Sequence, residues 1–226
     1  IESVYHDLLQ KVIPSDALPP LTDFTSIKTQ PTVFYGVHAG RKTKVICWAE
    51  GEKQTEAGMY ALSKKASIKV RTECAGKAGL WAPHLTTPAI VQSAFAGWIA
   101  GMYDLGIFKQ NDSGHPKVST GELYALLTSG ADEQTARDGI TLGLVQQEVM
   151  NLVNTPASHK SPAYVGAWAS RSAAQYGYTV KVLDKQDLTT LGMHAILAVN
   201  RGSEQPAVCI VSHYRHPEAQ KKVALI

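Results

Sequence analysis

The sequence predicts an α/β fold in two units joined by one long helix, and three observations carry that prediction. Short apolar runs alternate with helix-like stretches up to about residue 130. Residues 132–153 keep a one-sided helical spacing for roughly six turns. The last 73 residues then hold several runs rich in Val, Ile and Leu, as buried strands do.

In the first unit, Val33–Val37 and Lys44–Trp48 flank the turn-like Ala39-Gly40-Arg41-Lys42 and read as a strand pair. Ser67–Arg71 alternates polar and apolar residues and reads as a strand with one wet face. Thr87-Pro88 offers an N-cap followed by proline at the first helical position. The helix behind it, Ala89–Tyr103, is apolar almost all round (Ile90, Val91, Phe95, Trp98, Ile99, Met102) and is expected to be deeply buried, with Gly106 ending it. Asn111–Pro116 has loop composition, and Glu122–Leu127 is a short strand candidate.

Asp132 is the N-cap expected for the long helix, in which Ala136, Ile140, Leu144, Val149 and Leu152/Val153 recur at helical spacing. Asn154-Thr155-Pro156 breaks it, because the residue before a proline disfavours the α region. In the last unit, Ser161-Pro162 opens a helix running to Tyr176, which Gly177 closes. A strand is expected at Tyr178–Leu183. Asp184 then caps a short helix holding Leu188 and Leu191, ended by Gly192. Three further strands are expected at Ala195–Val199, Ala207–Val211 and Val223–Ile226. Such a sheet would have too few helices to cover both faces, so further chain or another subunit is expected to complete it.

The bulk properties narrow the class. Of 226 residues, 44% are hydrophobic and 18% charged, enough to bury a core. No apolar run reaches the length of a membrane span, and Ile1–His6 lacks the basic start and apolar core of a signal peptide. The net charge is +3, and although residues 154–226 hold eight basic against four acidic side chains, no run of like charge exceeds two. That is a solvated surface rather than a nucleic-acid footprint. Cys47, Cys74 and Cys209 are odd in number and widely spaced, which argues against a disulfide framework or zinc cluster and for a reducing, cytoplasmic setting.

Few residues carry chemistry. His213-Tyr214-Arg215-His216 would place two metal ligands on one face of a helix, but ahead of Pro217 it reads as an exposed loop pair. His194 reads as a structural histidine opening a strand. Gly36/Gly40 and Gly76/Gly79 lack the Gly-Lys-Ser/Thr ending of a phosphate loop and read as turns. Ser161 and Ser203 have no Gly-x-Ser-x-Gly context, and Ser161 is better used as a helix cap. Glu50, Glu52 and Glu56 read as a solvated turn.

One ordered series is more specific. Asn154-Thr155-Pro156, Ser161–Tyr164, Val180–Asp184, Leu191–Val199, Arg201-Gly202-Ser203 and Val223–Ile226 together resemble the opening of the catalytic domain in the leucyl aminopeptidase (cytosol aminopeptidase) family. Gly97–Lys109 looks like a late helix of that family's first domain. The resemblance implies a macro-domain-like module at 1–131, a connecting helix at 132–153, and the start of an α/β/α peptidase domain at 154–226. It also implies two divalent metal ions (zinc or manganese) in the complete enzyme, peptide substrates cleaved at the N-terminus, and a homo-oligomer, generally a hexamer. A metal lowers the pKa of bound water, and a metal pair stabilises charge on both the water and the carbonyl oxygen. The family's first metal motif, Gly-Lys-Gly, an apolar residue and Thr-Phe-Asp, directly follows the strand that matches Val223–Ile226. No catalytic, cofactor-binding or metal-binding residue is therefore carried onto this chain, and residues 1–226 are expected to be inactive alone. The alternatives are a noncatalytic structural homologue or a module binding an ADP-ribose-type ligand.

Overall fold

In a computed structural model of the chain, the described residues are 32–38, 41–47, 55–73, 78–81, 85, 87–103, 123–126 and 133–225. The chain divides into two compact units, residues 1–150 and 151–226. Sequence features at Gly106, Asn111–Pro116, Gly76, Cys74, Glu50, Glu52, Asp132 and Ile226 lie outside the described residues.

The first unit opens with an antiparallel hairpin of β1 (Thr32–His38) and β2 (Arg41–Cys47). Its register runs from Thr32 opposite Cys47 to His38 opposite Arg41. That is the expected strand pair, with Arg41 and Lys42 in the strand rather than the turn. Helix α1 (Glu56–Glu73) follows, with the Thr55 hydroxyl oxygen accepting from the Gly58 amide at 3.1 Å. Strand β3 (Ala78–Trp81) pairs in parallel with β4 (Leu123–Leu126). Parallel pairing needs a crossover, and α2 (Pro88–Gly101) lies in the chain between the two strands. The last helix of the unit, α3 (Glu133–Asn154), extends past Met150 into the second.

Helix α2 is the centre of this unit. Thr87 caps it in extended conformation, its hydroxyl oxygen accepting from the Ile90 amide, and Pro88 takes the first helical position. Ile90, Val91, Ala94, Phe95, Ala96, Gly97, Trp98, Ala100 and Gly101 are all buried. Met59, Leu62 and Leu85 close on Ile90 and Ala94, while Ala136, Ile140 and Leu85 close on Val91 and Phe95.

Four glycines set how near α2 lies to its neighbours. A Cβ on Gly97 would stand 2.2 Å from the Tyr60 carbonyl oxygen, and one on Gly101 1.9 Å from Ser67 Oγ, both on α1. A Cβ on Gly139 of α3 would stand 2.6 Å from the Gln92 carbonyl oxygen, and one on Gly143 2.5 Å from Ile99 Cβ, both on α2. Glycine inside a helix costs roughly 0.5–1 kcal/mol relative to alanine. These positions keep it because any side chain would push the backbones apart. Side chains from both neighbours also take up carbonyls at the end of α2: Arg71 donates to Tyr103 O, and Gln147 donates to Ile99 O. The Tyr60 hydroxyl links α1 to α3 by donating to Gln146 Oε1 at 2.9 Å.

The strand expected at Ser67–Arg71 is instead the last part of α1. Alternation over five residues is too short to separate a strand from one face of a helix. Met59, Ser63 and Ser67 recur every four residues as the buried stripe, whereas Ile68 is 38% exposed. At Ser63 and Ser67 the inward face is small and polar, with Gly101 of α2 lying against Ser67 and Lys64, and the buried Ser67 hydroxyl donates to the Lys64 carbonyl at 3.2 Å. Ala78 and Gly79, read as part of a turn, belong to β3.

The second unit follows its local signals closely. At the end of α3, Thr155 Oγ1 donates to Asn151 O at 2.7 Å and Lys160 Nζ to Val153 O at 2.8 Å, satisfying carbonyls that the helix leaves open. A short 3₁₀ turn, Ala157–His159, leads to α4 (Pro162–Tyr176). Ser161 Oγ accepts from the Tyr164 amide, and Gly177 ends the helix at φ 72°. Strand β5 (Thr179–Leu183) runs into α5 (Lys185–Thr190) through a capping box: Asp184 and Asp187 each accept the other's amide hydrogen, at 2.9 and 3.3 Å. Gly192, at φ 67°, turns the chain into α6 (His194–Val199), and β6 (Cys209–His213) pairs antiparallel with β5. Leu183, Leu188 and Ala207 form the core, with Met193, Ile196, Leu197 and Cys209 around them. A Cβ on Gly166 of α4 would stand 3.1 Å from Val182 of β5.

Two strand expectations fail here and a third shifts. Ala195–Val199 is helical in α6, where Ile196 and Leu197 turn to the core and Val199 is 89% exposed, a one-sidedness that an apolar run of five does not reveal. The strand expected at Ala207–Val211 begins two residues later, at Cys209. Val223–Leu225 forms no strand; Val223 and Leu225 are 83% and 95% exposed, with no ladder partner among the described residues. The described sheet of this unit therefore has two strands, not four.

Two stability measurements test these contacts. Gly139→Ala is expected to lower the urea midpoint by an amount equivalent to about 1–3 kcal/mol, although alanine is the better helix former. Gly202→Ala, where a Cβ meets nothing within 4 Å, is expected to stay within about 0.5 kcal/mol. Leu188, fully buried, is expected to cost about 2–5 kcal/mol as alanine, seen as lost hydrogen-exchange protection across Thr179–Leu183. Val199→Ala should leave that protection unchanged.

Candidate functional site

Several polar side chains of the second unit are committed to its own backbone. Both carboxylates near the core, Asp184 and Asp187, accept helix-start amides. Lys160 serves the end of α3, Ser161 the start of α4, and Asn200 Nδ2 donates to Gln205 O at 2.8 Å. Ser203 Oγ accepts from the Gln205 amide at 3.1 Å in the same exposed loop, an arrangement that makes a turn rather than an activated nucleophile.

The histidines are no closer to a site. His213 ends β6, with its carbonyl accepting from Thr179 Oγ1 at 3.1 Å, and His216 lies beyond the strand. His216 Nδ1 accepts from the Glu218 amide at 3.2 Å, so this nitrogen already has a partner. Both side chains are exposed. His194 opens α6 rather than a strand, and it too is exposed, which corrects its expected place as a packed structural histidine. Glu56 is exposed in the first turn of α1, where a carboxylate suits the helix dipole. Gly36 lies within β1 rather than in a turn.

A two-metal hydrolytic centre needs several carboxylate or imidazole donors converging within a few ångströms. Among the described residues, no group of three or more His, Cys, Asp or Glu side chains converges in that way. The donors among the described residues do not fit a metal pair. What the second unit offers is a framework: a helix packed on a two-stranded sheet by Gly166, Ala169 and Ala173, and a capped corner closing over Leu188. Nor is any helix among the described residues long and apolar enough to cross a membrane. His213→Ala/His216→Ala is expected to leave a calorimetric zinc titration of residues 1–226 unchanged; loss of a saturable, micromolar heat would show that the two imidazoles form a site.

Comparison with known proteins places this framework. Residues 148–226 match the catalytic domain of the cytosol aminopeptidase family. A probable cytosol aminopeptidase of Chlorobaculum parvum is 30% identical over an alignment of 193 residues that covers 77% of this chain and 37% of that protein. One from Chlorobium limicola is 28% identical over 229 residues, covering 91% of this chain and 45% of that protein. The chain thus spans less than half the length of these relatives. Among solved structures, a mutant tomato leucine aminopeptidase shares the fold with a TM-score of 0.67 at 21% identity, over 88% of this chain and 41% of its own. The bottromycin maturation enzyme BotP in complex with Mn gives 0.65 at 19% identity, over 82% and 40%. The chain belongs to the cytosol aminopeptidase family, with residues 148–226 falling in that family's catalytic domain.

Proposed function

We propose that residues 1–226 are the N-terminal part of a metal-dependent aminopeptidase that removes leucine-type residues from the N-terminus of peptides. In this reading residues 1–131 form a macro-like module, 132–153 the connecting helix, and 154–226 the start of the peptidase domain. The observation that carries the proposal is the family match to the catalytic domain, which begins at residue 148, beside the division of the chain at Met150.

The complete enzyme would use a pair of divalent ions, zinc or manganese; BotP, a structural neighbour, was solved with Mn. Because the described residues supply no converging donor set, no chemical step is assigned to them. Their part is positional. The capped β5–α5 corner and the α4 packing hold a sheet edge in place, and the donors would come from residues following Val223–Ile226, as the family resemblance implies. The setting is cytoplasmic, the active form is a homo-oligomer, and the substrates are peptides with a free amine.

The test compares two polypeptides. Residues 1–226 are expected to release no detectable product from a leucyl anilide with manganese or zinc present. A polypeptide that continues through a Gly-Lys-Gly motif and the rest of the peptidase domain is expected to release it in a chelator-sensitive manner. Turnover by residues 1–226 alone would overturn the assignment of these residues as scaffold.

A further inference from the structure

We draw no further inference here: the strongest candidate, the exposed apolar ridge of Leu142, Val145, Val149 and Val153 along α3, carries nothing because nothing in the structure shows what covers it.

Discussion

The first unit depends on how near α2 comes to the helices on either side. Gly97 and Gly101 set its distance from α1, and Gly139 and Gly143 set the distance of α3 from it. At such separations, backbone atoms of one helix touch those of the next. Dispersion contacts become dense and little side-chain entropy is lost, since glycine, alanine and serine have few rotamers to lose. The larger residues, Val91, Phe95 and Trp98, fill the remaining space around the same helix. Burial of each contributes on the order of 1.5–3 kcal/mol, so the three together outweigh the roughly 2–4 kcal/mol that the four glycines take from helix propensity. Arg71 and Gln147 then add side-chain hydrogen bonds to carbonyls at the helix end.

The second unit is organised differently. Its elements are delimited by local chemistry: Ser161 and Pro162 at the start of α4, Gly177 at its end, the Asp184–Asp187 capping box, and Gly192 after α5. The core behind them is small, built on Leu183, Leu188 and Ala207. Outside it, Val182, Leu191, Val211 and Tyr214 remain substantially exposed. The acidic side chains that close this corner are used in folding, which leaves them poor candidates for metal ligands.

What was legible in the sequence follows from that contrast. Caps, prolines and positive-φ glycines act within three or four residues, so α2, α4, β5 and α5 could be placed from the chain alone. Alternation and short apolar runs were misleading where tertiary contact decides the outcome. The buried stripe of α1 is Met59, Ser63 and Ser67, and only the presence of α2 explains why serine faces inward there. The run at Ala195–Val199 has the composition of a strand, but Ile196 and Leu197 reach the Leu188 cluster from a helix. The site was legible in one respect: an ordered series of motifs after residue 150 pointed to the family, although no individual side chain in it declared a catalytic role.

The burial of α2 on two opposite sides has a consequence for biosynthesis. Its partner α1 is made before it, but α3 is finished only when Asn154 has been added, 53 residues after Gly101. At ordinary elongation rates that delay is on the order of several seconds. During this interval the flank formed by Val91, Phe95 and Ile99 lacks the α3 contacts that cover it in the folded chain. Completion of α3 is therefore the step that closes this side of α2.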